Sequence, residues 1–180
     1  MKAFLIAVIL LIAIAGCGGK KTTGPDSVRG PQYLLSSTPQ NVLINLQLSY
    51  SGRDTTEYKT LYDDNYVGTS TDQLDGSALN FTKSDEVGHV SALARHTSIT
   101  NVSLTLPPSL LRFTDGVDPP GWATVQFAPG VGFNVEINDT PSSLYMTSNT
   151  TNEFKFIPTT PAAGSPTDTT WKIVRWTETH

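Results

Sequence analysis

Residues 41–66 read NVLINLQLSYSGRDTTEYKTLYDDNY, and the way this stretch divides decides the fold. Val42, Leu43, Leu46 and Tyr50 recur at helical spacing, which predicts one apolar stripe along a helix. Just upstream, Thr38 supplies a capping hydroxyl. Pro39 suits the first helical position, where a missing N–H costs nothing. Ser51-Gly52 ends this helix. Asp54 and Glu57 then stand three apart, the spacing of a capping box. Tyr58, Leu61 and Tyr62 form the stripe of a second, short helix, and Asp63-Asp64-Asn65 closes it. Two helices therefore meet at a tight glycine-containing turn.

Downstream, Tyr66 to Ser70 reads as a short strand and Thr71 to Asn80 as a polar loop. Thr82 with Asp85 offers another cap, and Val87, Val90, Leu93 and Ala94 give a third helix. The pattern then switches to period two. Val102, Leu104 and Leu106 alternate with polar residues. Ala123, Val125 and Phe127 do the same, as do Val131, Phe133, Val135 and Ile137. Pro107 to Gly121 reads as a long proline-bearing loop. Leu144 with Met146, Phe154 with Phe156, and the run from Trp171 to Trp176 complete the strands. Trp171 and Trp176 are five apart, so a regular strand sends them to opposite faces. Helices first and hairpin-connected strands after predict an α+β fold, with N-terminal helices packed on a curved antiparallel β-sheet.

Upstream lies a different kind of sequence. One positive charge, Lys2, precedes the apolar run Ala3–Ala15 (AFLIAVILLIAIA). A basic start, a short apolar core and small residues at the exit mark an export signal. Thirteen residues fall short of the roughly 20 needed to span hydrocarbon. The exit, Ile14-Ala15-Gly16-Cys17, resembles the lipobox of bacterial lipoproteins. The resemblance implies cleavage after Gly16, thioether attachment of a diacylglyceryl group to Cys17, and acylation of the new amine. Two or three acyl chains make attachment to a membrane effectively permanent, whereas one holds only marginally. Gly18 follows, not the aspartate that retains enterobacterial lipoproteins at the inner membrane. The expected location is thus the outer membrane, facing the periplasm. Cys17 is the only cysteine, so no disulfide staples the domain and a packed core must hold it.

The expected organisation is a signal peptide over 1–16, a lipidated Cys17 with a flexible tether over 17–36, and a single domain over 37–180. The tether is rich in Gly, Lys, Thr, Pro and Ser, too polar to offset its ordering entropy. Tyr33, Leu34 and Leu35 are its apolar exception and are expected to dock where the chain enters the domain. The formal net charge is −4 with no basic cluster, which argues against a nucleic-acid partner.

The element order over about residues 38–178 resembles the nuclear transport factor 2-like superfamily, also described as cystatin-like or SnoaL-like cones. The carrying segments are the quoted stretch 41–66 and the closing run Trp171-Lys-Ile-Val-Arg-Trp-Thr-Glu178. The resemblance implies a bent sheet wrapped around helices and, by analogy with sheet-face dimers in the superfamily, a homodimer. Isomerase-like members place a tyrosine inside the first helix and a base aspartate beyond the first strand. Anchored on Asp54 and Leu61, those positions fall on Leu46 and near Thr69 or Ser70. Leu46 donates no hydrogen bond, and a free hydroxyl is a poor base near neutral pH. This departure counts against isomerase-type catalysis.

The remaining candidates for a pocket are Tyr62, Asp63, Asp64, His89 and Trp171. The paired carboxylates Asp63 and Asp64 would work as acid and base if burial split their pKa values, and otherwise they simply end a helix in water. His89 and His96 are seven apart, not the i, i+4 of a metal pair. No metal, cofactor or catalytic residue is therefore assigned. The favoured function is a non-catalytic envelope lipoprotein whose cone binds a small apolar ligand or an envelope protein. The alternatives are a hydrolase or isomerase with a rearranged site, and a structural or assembly role.

Overall fold

The computed structural model describes residues 31–147, 151–159 and 169–179. The signal segment with Ile14, Ala15 and Gly16, the lipid-bearing Cys17, most of the tether and His180 lie outside the described residues. Among the described residues, no helix is long and apolar enough to cross a membrane.

Helix α1 spans Pro39–Ser51. It starts as its caps dictate, with the Asn41 N–H donating to Thr38 Oγ1 at 3.1 Å. Val42, Leu43, Leu46 and Tyr50 are all buried. At its end the Gly52 N–H returns to the Leu48 carbonyl at 2.8 Å. Arg53 takes a positive φ of 53° to reverse the chain, and its guanidinium is tied to the Ile99 carbonyl at 3.0 Å. Helix α2 spans Thr55–Thr60, with Asp54 Oδ1 accepting from the Thr56 and Glu57 N–H groups.

The second helix stops earlier than its stripe predicts. Tyr62 is the first residue of strand β1, Tyr62–Thr71, and Asp63-Asp64-Asn65 lie in that strand and do not close a helix. The cause is tertiary. The Ile173 N–H donates to the Leu61 carbonyl at 2.8 Å, and Tyr62 sits in register with Ile173. Aromatic and β-branched residues (Tyr62, Tyr66, Val67, Thr69, Thr71) suit a paired strand better than another helical turn. Strand β2, Ala78–Thr82, occupies part of the expected loop and pairs antiparallel with β1 from Val67↔Thr82 to Thr71↔Ala78. Helix α3, Lys83–Arg95, opens on a complete Thr82/Asp85 capping box.

Seven strands follow: β3 Ile99–Thr105, β4 Leu110–Phe113, β5 Ala123–Phe127, β6 Asn134–Asp139, β7 Ser142–Thr147, β8 Asn152–Thr159 and β9 Thr170–Thr179. Strand β4 lies inside the segment read as a long loop. It is a four-residue edge strand on β5. The strands form a six-stranded sheet ordered β2-β1-β9-β8-β5-β4 and a three-stranded sheet β3-β6-β7. The α+β class holds, but the single antiparallel sheet divides in two, and β1 pairs with β9 in parallel. That pairing needs a long connection, and nearly the whole domain lies between the two strands.

The β8–β9 ladder corrects the tryptophan reading. Phe154 pairs with Trp176 and Pro158 with Trp171, four residues apart on β8 but five on β9. The extra residue is a β-bulge near Val174, and it restores parity. Both tryptophans therefore share the face that carries Phe154 and Phe156, and both pack against the core. Phe154, Phe156, Ile173, Tyr62, Leu46 and Val90 are fully buried at its centre.

Tyr33 to Ser36 are pinned to the domain. Buried Asn45 clasps Leu34 from both sides, accepting from its N–H at 2.8 Å and donating to its carbonyl at 2.7 Å. The Tyr33 hydroxyl donates to Asp54 Oδ2, and the Trp171 N–H donates to the Ser36 carbonyl. The last four residues assigned to the tether thus belong to the folded unit.

Candidate functional site

A cavity of about 770 Å³ opens between α3, the β1–β2 hairpin and the inner face of the β3-β6-β7 sheet. That is the size of an ordinary small-molecule site. One wall is α3, where Glu86, Val90 and Leu93 stand at i, i+4 and i+7 on the inward face. Val90 and Leu93 fill the core. Glu86 takes the equivalent place one turn earlier and presents a half-buried carboxylate to the cavity. The opposite wall is apolar, made of Leu104, Phe133, Val135, Met146 and Trp176. Phe133 meets Trp176 edge-on, with ring centres 5.6 Å apart.

The carboxylate is held by tyrosines. Tyr66 donates to Glu86 Oε1 at 2.9 Å and Tyr58 to Oε2 at 3.2 Å. Behind them, Tyr62 donates to the Tyr58 hydroxyl at 2.7 Å. The rings of Tyr58, Tyr62 and Tyr66 follow one another with centres 5.1 and 4.7 Å apart, the first pair tilted and the second edge-on. Two hydroxyls thereby replace part of the water that a buried charge would lose, and a third supports one of them from behind. At the mouth, the Tyr50 hydroxyl and His89 Nε2 share a hydrogen bond of 2.9 Å.

Strand β1 contributes a further fit. Gly68 stands under the tyrosine–carboxylate pair. A Cβ there would lie 2.5 Å from Tyr66 Oη and 3.5 Å from Glu86 Oε1. A side chain at this position would displace the hydroxyl from its acceptor.

Burial sets the electrostatics. It raises the Glu86 carboxyl above its ordinary value, although the hydrogen bonds from Tyr66 and Tyr58 oppose it. Burial pushes Tyr50 up to about 12 and raises Tyr58, Tyr62 and Tyr66 well above the usual phenol range, with Glu86's charge adding to each. It lowers His89, which favours the neutral ring. The tyrosines are therefore hydrogen-bond donors at neutral pH, not bases.

The residues singled out from sequence are dispersed. Tyr62 is fully buried behind Tyr58 and supports the cluster without lining the cavity. Asp63 accepts from the Asn65 backbone and side chain. Asp64 is a surface group paired with Lys83 at 2.8 Å, and that lysine lowers its pKa. Neither carboxylate lines the cavity. His89 is at the mouth. Trp171 is elsewhere, beneath the Arg112 guanidinium at 5.3 Å. Glu86, Tyr50, Tyr58, Tyr66 and Trp176 line the cavity and are not among the five pocket candidates of the sequence. Glu86 carried a signal: a charged residue one turn before Val90 on an otherwise apolar stripe. Among the described residues, no group of three His, Cys, Asp or Glu side chains forms a metal site.

The resemblance assigns isomerase-type chemistry to Leu46 and to Thr69 or Ser70, and both hydroxyl residues line the cavity. Leu46 is fully buried and apolar, and Thr69 donates to the Asn80 side chain at 3.0 Å.

No family model matches the chain, and no curated protein is similar to it. Solved structures are. A conserved protein from Planctomyces limnophilus aligns at a TM-score of 0.53 and 10% identity over 78% of this chain and 91% of that one. A protein from Kribbella flavida aligns at 0.52 and 11% identity over 78% and 86%. A nuclear transport factor 2-like protein with a cystatin-like fold, from Novosphingobium aromaticivorans, aligns at 0.47 and 14% identity over 77% and 76%. At such identities the likeness is one of architecture alone: the chain shares the α+β fold of these solved structures, the fold that the resemblance to nuclear transport factor 2-like proteins implies.

Proposed function

We propose that this chain is an envelope lipoprotein, anchored through Cys17, whose cone domain binds a small ligand of largely apolar surface without transforming it. The anchoring rests on the sequence: Lys2, the apolar run 3–15 and Ile14-Ala15-Gly16-Cys17. Gly18 supports placement on the outer membrane facing the periplasm. The binding function rests on one observation, an open cavity of about 770 Å³ with an aromatic wall and a half-buried carboxylate held by tyrosines. Apolar lining with a few convergent polar groups is the usual composition of a ligand site. Leu46 and Thr69 at the positions of isomerase chemistry support a non-catalytic role.

Trp176 lines the cavity, whereas Trp122 and Trp171 do not, so it can report occupancy. A variant carrying Trp122→Phe and Trp171→Phe is titrated with naphthalene, indole and toluene while Trp176 fluorescence is followed. Saturable change is expected. A flat response up to the solubility limit of all three overturns the binding reading. Lipidation is tested separately by labelled palmitate incorporation, expected in the native chain and lost in Cys17→Ala.

A second reading is acid–base catalysis on a bound ligand by Glu86. It is favoured by the carboxyl's raised pKa and its position in the cavity. Product formation abolished by Glu86→Gln, with ligand affinity retained, would establish it over the first.

A further inference from the structure

The charge of the cavity narrows the ligand class. Asp85, Glu86 and Glu178 line it, and among the described residues no lysine or arginine does. Asp85 is committed to the capping box, accepting from the Thr82 N–H and hydroxyl. Glu86 and Glu178 are left to set the potential, and each lies close enough for its charge to act on Tyr66. His89 is held toward its neutral form. An anionic ligand would meet two carboxylates and no counter-charge in a site partly shielded from water, where charge acts strongly.

The carboxylate also has room for a donor. An ionised carboxyl offers about four lone-pair positions, and Tyr58 and Tyr66 occupy two. Phe133, Met146 and Trp176 line the cavity with the carboxylate and offer an apolar surface for the body of a ligand. The Tyr58 and Tyr66 hydroxyls, both donating to Glu86, hold its negative end fixed before any ligand arrives.

We propose that the ligand of this cavity is an organic monocation, an ammonium group set against Glu86 with its apolar body on Phe133, Met146 and Trp176. The inference rests on the ligand-binding reading above and names the chemistry of what binds. Glu86 supplies the charge, the tyrosines hold that charge in place, and Glu178 adds a second negative charge at the rim.

The test uses the full chain in nanodiscs of zwitterionic lipid, with ligand-observed NMR corrected by protein-free nanodiscs. Three probes share one shape: phenyltrimethylammonium, its neutral carbon isostere tert-butylbenzene, and benzenesulfonate as the anion. The cation is expected to bind at least about tenfold tighter than the neutral isostere, the order of a close, partly desolvated charge pair, and the anion not at all. Glu86→Gln should bring the cation's affinity down to that of the isostere, with a cooperative urea transition showing that the variant is folded. Should that variant fail to bind the isostere, Glu178→Gln replaces it and should weaken the cation alone by a few-fold. Equal affinity of cation and isostere for the native chain overturns the charge assignment and leaves the binding reading standing. A cation preference that survives both substitutions also overturns the assignment. Binding of none of the three overturns both readings.

Discussion

Gly68→Ala tests the geometry of the site through one methyl group. The new Cβ would stand 2.5 Å from Tyr66 Oη and 3.2 Å from its Cζ. A carbon–oxygen contact relaxes near ~3.4 Å, so the hydroxyl must retreat by about 1 Å. Tyr66 is only 3% exposed and cannot swing into solvent. Its 2.9 Å bond to Glu86 therefore breaks or stretches past usefulness. Losing a hydrogen bond to a charged group costs about 1.5–3 kcal/mol, and overpacking adds about 1–3 kcal/mol. Because relief of one lessens the other, the expected destabilisation is about 2–4 kcal/mol. Tyr66→Phe alone removes the bond and should cost about 1.5–3 kcal/mol. In the double variant the oxygen that clashes is gone, so the second change adds little. Urea unfolding of the four proteins gives the coupling directly, expected to exceed about 1 kcal/mol in magnitude. A Gly68→Ala protein within about 0.5 kcal/mol of the native one, or strictly additive effects, would refute the packing of Gly68 against the Tyr66–Glu86 pair.

Other consequences are independent of that pair. Phe154 is fully buried against the rings of Phe127, Phe156 and Trp176, so Phe154→Ala should cost about 3–5 kcal/mol in denaturant unfolding. Asn45→Ala orphans both backbone groups of Leu34, at about 1–3 kcal/mol each in full burial and less here. Hydrogen exchange should speed up at residues 33–36 while the β8–β9 amides stay protected. Glu86 holds its proton more tightly folded than at its ordinary value of 4.5. Its contribution to stability therefore falls as pH rises from that value through the raised one, and is constant above it. Subtracting the pH–stability curve of Glu86→Gln from that of the native chain should isolate this downward segment, whereas a difference curve rising with pH would reverse the assigned sign.

The parts legible in the sequence are those fixed by local chemistry. Thr38-Pro39 and the Thr82/Asp85 pair set the starts of α1 and α3, because a cap is a bond between near neighbours. Period-two runs located β3, β5 and β6 for the same reason. What escaped was set by distant partners. Tyr62 leaves the helical stripe because Ile173 bonds to Leu61 across the domain. Trp171 and Trp176 share a face because of a bulge that no residue pattern in β9 announces. The site was harder still. Asp63 and Asp64 drew attention as adjacent carboxylates, but adjacency in a strand separates side chains. Glu86, flanked by Asp85 and a glycine-containing helix, looked like an ordinary surface acid. Its meaning lies in Tyr58 and Tyr66, which α2 and β1 bring to it from 28 and 20 residues away.

The most direct test of the account is where a small aromatic ligand binds. In a ¹H–¹⁵N NMR titration of the domain with naphthalene, saturable shifts should gather at Gly68, Gly88, His89, Phe133 and the Trp176 indole, all of which line the cavity. Shifts scattered over the outer sheet face, or none before naphthalene reaches its solubility limit, would contradict a cone built to hold a ligand.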